Sequence, residues 1–452
     1  MLRLRDGQAT LWESTLPPEI HLLSPELQTI DDLLDDQRFL QPFVDRFFCP
    51  LGRPTIPMES YLRLMFLKHR YDLGYETLVK EVTDSLSWRR FARISLERTV
   101  PHPTTLMKLT RRFGPEIVDD LNQALLRTAV EKRMIRSRRL RVDTTAMEAD
   151  VRYPTDSGLC AHGSSRLARV VAKVKRGGLA IRTRFRNRGR TIGKLVREVS
   201  YALSGAPRDR RPAMERITGQ LQGVLRSVTR QASRVLTNAK RAARFKPGDA
   251  GAAAQRLVRR LGDEIALATR LIAQTARRLA GETSIPDRMV SLSDIDARPI
   301  RRGKPQKPNE FGYKVSIADT PEGFVVSHQV YKGNPADAQT LEAAIAGAQA
   351  IGMKVKTVLG DRGYGDAVGD QALAARGISD RVIPRKGRAA PVERSRGWRR
   401  RYRWRSGGEG RISALKRGYG LRRSRLKGHR GAEIWAGQGI LAHNLHQYAG
   451  QK

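Results

Sequence analysis

Three acids stand out in a chain that is otherwise crowded with positive charge: Asp143 in VDTT, Asp361 in LGDRGYG and Glu409 in RYRWRSGGEGRISALKRGYG. Carboxylates are the hard oxygen donors that Mg²⁺ prefers, and few of them suffice because the ion keeps several waters. Three carboxylates from separate elements would serve a pair of divalent ions about 3.5–4 Å apart, which activates an attacking oxygen and stabilises a leaving one at phosphorus. The setting of Glu409 is the most telling. Residues 385–430 hold 18 Lys or Arg and only two acids, Glu393 and Glu409. An acid kept there either holds a metal ion against a polyanion or caps a helix, and Ser406-Gly-Gly-Glu409 has the spacing of a capping box. Asp143 has the alternative of pairing with Arg139 or Arg141, and Asp361 that of serving a turn in GDRG. Glu148, Asp150, Asp294, Asp296 and Asp366 compete for the same role. The HNLH run, His443 to His446, lacks the acid of a zincin, and no other histidine makes a metal motif.

The polyanion is named by the composition. Of 452 residues, 85 are Lys or Arg and 45 are acids, a formal net charge of +40. Duplex DNA carries about one negative charge per 1.7 Å of axis, and each phosphate neutralised releases counterions. DNA is therefore the expected partner. A membrane is not, since there is no apolar run of about 18 residues. The start, MLRLRDGQATLWESTLPPEI, lacks the apolar core of a signal peptide, and Cys49 and Cys160 are too few for a disulfide framework or a zinc cluster. A reducing cytoplasm is expected, with the protein on the nucleoid.

The elements that must position the acids fall into three expected domains. Residues 1–135 read as short helices: Ser24 and Pro25 open one, breaks fall at Gly74 and near 84–87, and Gly114 divides the last. Helices of this size with Arg pairs suit either a helix-turn-helix DNA reader or a plain bundle. RRLRVDTTAMEADVRY then alternates as a strand around Asp143. Residues 161–285 form a basic helical insert. Between 166 and 246 there are 23 Lys or Arg against three acids, too one-sided for a face that is merely solvated, so the insert is expected on DNA. GDAGAAAQ (248–255) reads as a loop within it. From 286 to 452 the pattern is α/β: DRMVSLSDID, FGYKVSIAD and GFVVSHQVY are strand-like, Asp337 is a good N-cap for the helix after it, VKTVLG ends in Asp361, and Glu409 lies on what reads as the final helix. The core is thus 136–160 with 286–452.

The order of these acids resembles the DDE transposases of bacterial insertion sequences. One large group of that family carries Tyr, two residues, Arg, three residues, Glu, six residues and Lys, and Tyr402, Arg405, Glu409 and Lys416 keep every interval. EFGYK, GNPADAQTL and the N-terminal helices are similar to the group as well, so the resemblance covers most of the chain. The basic insert departs from members that carry a β-rich insert nearer the Glu. The resemblance implies an α/β fold, a ribonuclease-H-like mixed sheet with an all-helical N-terminal domain. It implies catalytic, metal-holding roles for Asp143, Asp361 and Glu409 with two Mg²⁺ (or Mn²⁺) ions. It also implies inverted-repeat ends and target DNA as partners, and a homo-oligomer when assembled on DNA. Arg405 and Lys416 would clamp phosphates, Arg in bidentate fashion. Tyr402, Trp398 and Trp404 would stack on an unpaired base, with core packing the alternative for the tryptophans. Two rivals are a ribonuclease-H-like nuclease or resolvase without strand transfer, and a non-catalytic basic nucleoid protein that needs no ordered acids.

Overall fold

The computed structural model describes residues 1–6, 17, 19, 22–46, 52–301 and 309–451. Cys49 and most of the opening twenty residues lie outside them. Among the described residues the first helices are α1 (Pro25–Leu34), α2 (Gln41–Arg46), α3 (Met58–Arg70), α4 (Tyr75–Asp84), α5 (Leu86–Phe91) and α6 (Pro103–Glu131), followed by β1 (Arg139–Ala149). Four helices come next, α7 (Asp156–Arg176), α8 (Gly189–Ser204), α9 (Pro207–Ala243) and α10 (Gly248–Leu279). The remainder is β2 (Arg298–Arg301), β3 (Asn309–Asp319), β4 (Val325–Tyr331), α11 (Asp337–Ala350), β5 (Thr357–Leu359), α12 (Ala367–Ala375), β6 (Asp380–Val382), α13 (Arg396–Tyr402), α14 (Gly407–Gly418), β7 (Arg423–Ser424) and α15 (His429–Ala449). Contacts divide these elements into two units, Met1–Asp150 with Ile300–Lys452, and Val151–Pro299.

In the first unit the local signals act as read. The Ser24 side chain accepts from Leu27 N–H with Pro25 at the first helical position. Gly114 breaks α6 at φ 73° and ψ −178°, a backbone conformation open to glycine, and Pro115 restarts the helix. The sheet is mixed. β1 pairs antiparallel with β3, and β3 antiparallel with β4. β5 lies parallel to β1 on its other side, and β6 parallel to β5. Glu409 is not on the last helix, because α15 follows it. α15 carries Asn444, whose amide donates to Val325 O while its carbonyl accepts Val325 N–H, both at 2.9 Å. Asn122 of α6 in turn donates to Gly437 O of α15, so this helix ties the N-terminal helices to the sheet.

β1 departs from simple alternation. Leu140 and Val142 are buried and Arg139 is exposed, but Arg141 is buried too. Its partner is Asp319 on β3, with Nε donating to Oδ1 at 2.8 Å and Nη2 to Oδ2 at 2.5 Å. Arg141 therefore does not pair with Asp143.

The second unit is helical, with α9 and α10 packed against each other and against α7 around Leu167, Val171, Leu225, Val228, Leu261 and Leu271. Two expectations are corrected. GDAGAAAQ is the first two turns of α10, not a loop: Pro247 precedes it, Asp249 sits favourably in the first turn, and the alanines are strong helix formers. DRMVSLSDID is irregular, not a strand. Gln274 takes Met289 N–H at 2.7 Å and donates to Met289 O at 3.1 Å, as a neighbouring strand would have done. Ser291 Oγ then accepts from Ser293 and Asp294 N–H and turns the chain.

Because Arg141 and Asp319 are both about 5 % exposed, neither charge is satisfied by water once the other is removed. Asp319→Ala is expected to lower stability by about 3–5 kcal/mol in chemical denaturation, the cost of an uncompensated buried charge. An unchanged midpoint would show that the pair is not a constraint on the fold.

Candidate active site

Asp143 lies on β1, and Asp361 stands two residues beyond the end of β5. These strands are parallel, with Arg141 opposite Leu359. Carrying that register on by two residues in each chain brings the two aspartates to neighbouring positions. Each carboxylate is oriented by a backbone N–H. Asp143 Oδ1 accepts from Thr144 at 2.8 Å, and Asp361 Oδ1 accepts from Gly363 at 2.7 Å. The turn alternative for Asp361 is therefore realised by one of its oxygens only. The other oxygens face one cation: Arg405 Nη2 stands 3.7 Å from Asp143 Oδ2 and 3.8 Å from Asp361 Oδ2. Both distances exceed a hydrogen bond, so the guanidinium is shared between the two carboxylates and docked on neither.

A third carboxylate joins them that sequence reasoning had cast only as a cap. Asp337 is the first residue of α11, and Ala336 is the N-cap, with Gln339 closing back onto Ala336 N–H. Freed from capping, Asp337 Oδ1 accepts from Thr144 Oγ1 at 2.7 Å and pairs with Lys314 Nζ at 2.6 Å. Gly363 makes this approach possible, since a side chain there would run into the Asp337 carboxylate. The adjacency of GNPADAQTL to the strands was the available signal.

The electrostatics follow from this crowding. Burial pushes Asp143 up to about 6; Asp361 and Asp337 add to the shift, while Arg405 and the Thr144 N–H oppose it. Asp361 is raised in the same way, by burial first and Asp337 next, against Gly363 N–H, Arg405 and Lys314. The Tyr364 hydroxyl is pushed well above its usual value by burial and by all three aspartates. Three carboxylates, Asp143, Asp361 and Asp337, thus share two cations, Arg405 and Lys314.

Glu409 is in the first turn of α14 and exposed. Its neighbour Gly408 backs onto β1, where an added Cβ would lie 3.5 Å from Asp143 Oδ2. The helix therefore starts against Asp143, while the Glu409 carboxylate makes no ion pair among the described residues. The capping-box alternative is not formed. Ser406 has helical backbone angles (φ −58°, ψ −29°) and its hydroxyl donates to Arg403 O. The 3₁₀ turn Arg403–Ser406 runs straight into α14 and leaves no extended residue to serve as cap. Arg405 lies in that turn, Tyr402 ends α13 before it, and Lys416 is in the last turn of α14.

The aromatic residues divide. Trp398 is 7 % exposed, packs on Leu359 and Val382, and stacks on Tyr402 with ring centroids 4.8 Å apart. Its ring is core, which corrects the base-stacking expectation for this residue. Trp404 lies under the Arg141 guanidinium at 4.7 Å, and its carbonyl accepts from Arg141 Nη1 at 2.8 Å. His443 and His446 are held by Gly323 O with Arg411 and by Tyr419, so HNLH is structural.

Among the described residues, no three His, Cys, Asp or Glu side chains are grouped so as to hold a metal ion by themselves. The donors present still suit a divalent cation. They are hard oxygens, two of them already turned to one positive group, in a site with surplus negative charge. No described helix is long and apolar enough to cross a membrane.

Two known families match the chain. "Transposase domain (DUF772)" covers residues 14–112, and "Transposase DDE domain" covers 290–445, more than half of the chain between them. A protein of Rhizobium meliloti, "Uncharacterized protein ORF8 in nfe locus", is 26 % identical over 161 residues, 34 % of this chain and 76 % of that protein. No solved structure matches. The family match indicates a DNA-cleaving enzyme. The chain belongs to the DDE transposases of insertion sequences.

Because the folded-state pKa of Asp143 is raised, this group favours folding at low pH, and that contribution is lost as pH rises through about 6. At pH 7.5 without divalent metal, Asp143→Asn is expected to be more stable than wild type by about 3 kcal/mol. The difference should vanish near pH 4, and added Mg²⁺ should narrow it at pH 7.5. Melting curves at the two pH values decide; no gain at pH 7.5 would show that the site is already neutralised.

Proposed function

We propose that this transposase binds the inverted-repeat ends of its element, hydrolyses a DNA strand and joins the freed 3′ hydroxyl to target DNA. The observation that carries the reading is the meeting of Asp143 and Asp361 around Arg405, with α14 starting against Asp143. The sheet supports a ribonuclease-H-like core: three antiparallel strands (β4, β3, β1) continue into two strands parallel to β1 (β5, β6). In this reading residues 1–135 form a helical DNA-binding domain, 161–285 a basic insert, and the remainder the catalytic core.

DDE domains use divalent metal ions. Asp143 and Asp361 would hold them, with Glu409 supplied from α14 and Asp337 orienting the pair through Thr144 and the Gly363 loop. Two such ions, when bound, supply an activated oxygen nucleophile and stabilise the leaving oxygen at phosphorus. The protein's own groups do the rest. Arg405 lies where it can pass from the two aspartates to a phosphate and bind it in bidentate fashion. Lys416, nearly two helical turns beyond Glu409, faces the same side and meets a second phosphate. Trp404 and the free face of Tyr402 offer surfaces for an unpaired base. Several copies assembled on DNA would bring both ends to one target.

Asp361→Asn keeps the size of the side chain and removes its charge. It is expected to leave binding to the element's own ends intact and to reduce Mg²⁺-dependent cleavage at least a thousandfold. Glu409→Gln should reduce cleavage alike without lowering the melting temperature, since Glu409 makes no cap. Full cleavage by Glu409→Gln would remove it from the site and turn attention to Asp337. Cleavage by wild type without joining to a second DNA would favour the nuclease alternative. Compaction of any DNA without cutting would favour the nucleoid protein.

A further inference from the structure

The basic insert has one face that its own core does not use. Residues 151–299 hold 32 Lys or Arg against 11 acids, so about half of the net charge sits in a third of the chain. On α9 the excess is ordered. At 100° per residue, Arg226, Arg230, Arg234, Arg241 and, at the C-cap, Arg244 fall within an arc of about 80°. All five are exposed, and among the described residues none is in an ion pair. The residue between them on this arc, Thr237, is small. The opposite side of the helix is the core face, with Leu221, Leu225, Val228, Ala232, Val235 and Ala239 buried. From Arg216 to Gly248 there is no acid at all.

Elsewhere in this unit arginines are paired when a structural role needs them, as Arg166 is with Glu264 and Arg288 with Asp156. Five unpaired guanidinium groups along one ridge repel one another, and a helix carrying them gains only when an anion covers them. The anion must be extended, because Arg226 and Arg244 are about 27 Å apart along the axis. It must also repeat at short intervals. A DNA strand advances about 3.4 Å per phosphate, so the ridge matches about eight base pairs of backbone.

We propose that this ridge of α9 is a phosphate-backbone track, which holds duplex DNA independently of its sequence. The proposal rests on the transposase reading only for the identity of the polyanion. Guanidinium groups contact phosphates alone, so the track adds affinity and salt dependence but no base preference.

The test uses the full-length protein and a duplex of unrelated sequence, so it does not require cleavage. In the triple variant R226A/R230A/R234A, alanine preserves the helix, which circular dichroism and melting check. Affinity for the duplex is measured across a range of salt. The slope of log affinity against log salt is expected to become shallower by about 2.7, that is ~0.9 for each lost phosphate contact. The corresponding R226K/R230K/R234K variant keeps the charges and should keep the wild-type slope. A folded alanine variant with the wild-type slope overturns the track, as does a wild type that fails to bind the duplex at low salt. The transposase reading fails by a different result, the absence of cutting and joining at the element's own ends.

Discussion

The buried guanidinium of Arg141 is the constraint on which the site's geometry depends. It pairs with Asp319 across the β1–β3 ladder, donates to Trp404 O and lies over the Trp404 ring. It also fills the space beside Gly407 and Gly408, and Arg411 of α14 reaches the same Asp319 at 3.2 Å. One side chain on the strand that carries Asp143 thereby fixes the turn that carries Arg405 and the helix that carries Glu409. Such a pair adds little net stability, because desolvating two charges costs about as much as their attraction returns. Its effect is on position. Any packing that leaves Arg141 or Asp319 without its partner is penalised by several kcal/mol, so few alternative placements of the 403–418 segment compete.

The aspartates illustrate the opposite use of burial. Burial raises the proton affinity of Asp143 and Asp361, the neighbouring Asp337 raises it further, and the shared Arg405 guanidinium does not cancel the effect. A site optimised for stability would have placed an apolar residue or a bidentate arginine there. The strain is tolerable because the surrounding sheet is fixed by other contacts: Asn444 clamps β4, and Gly312 lets β3 pass close against β1 at Met147. The energy that the fold forgoes at these carboxylates is returned by whatever positive group enters the site.

Much of this was legible in the residues. The strand around Asp143, the short strand before Asp361 and the cap at Ser24 follow from local pattern, which the tertiary structure leaves undisturbed. The pairing of the two aspartates needed more than pattern, because the parallel β1–β5 register joins segments 218 positions apart. What failed to be legible failed for identifiable reasons. Asp337 looked like a cap because helix starts favour Asp, but Lys314 and Thr144 outbid that role. Ser406 and Glu409 had the capping interval, yet the preceding 3₁₀ turn removed the extended residue that a cap requires. DRMVSLSDID had strand composition, and the Gln274 side chain supplied the hydrogen bonds a strand would have sought. For Asp337 and for DRMVSLSDID a partner remote in sequence overrode a sound local preference; for Ser406 it was the adjoining turn.

The distribution of arginine completes the argument. In the first unit several arginines are matched to acids: Arg63 to Asp31 and Asp35, Arg93 to the same two, Arg141 and Arg411 to Asp319, Arg381 to Asp370. There they act as pieces of structure, their charge met wholly or in part by the acids beside them. From Arg216 through the end of α9 the matching acids are absent. Charge that is not consumed locally projects into solvent over about a Debye length, some 8 Å at physiological salt. The same residue type therefore does two separable things in one chain. Paired, it sets the positions of the groups that surround Asp143; unpaired, it makes a field that draws a polyanion to the surface.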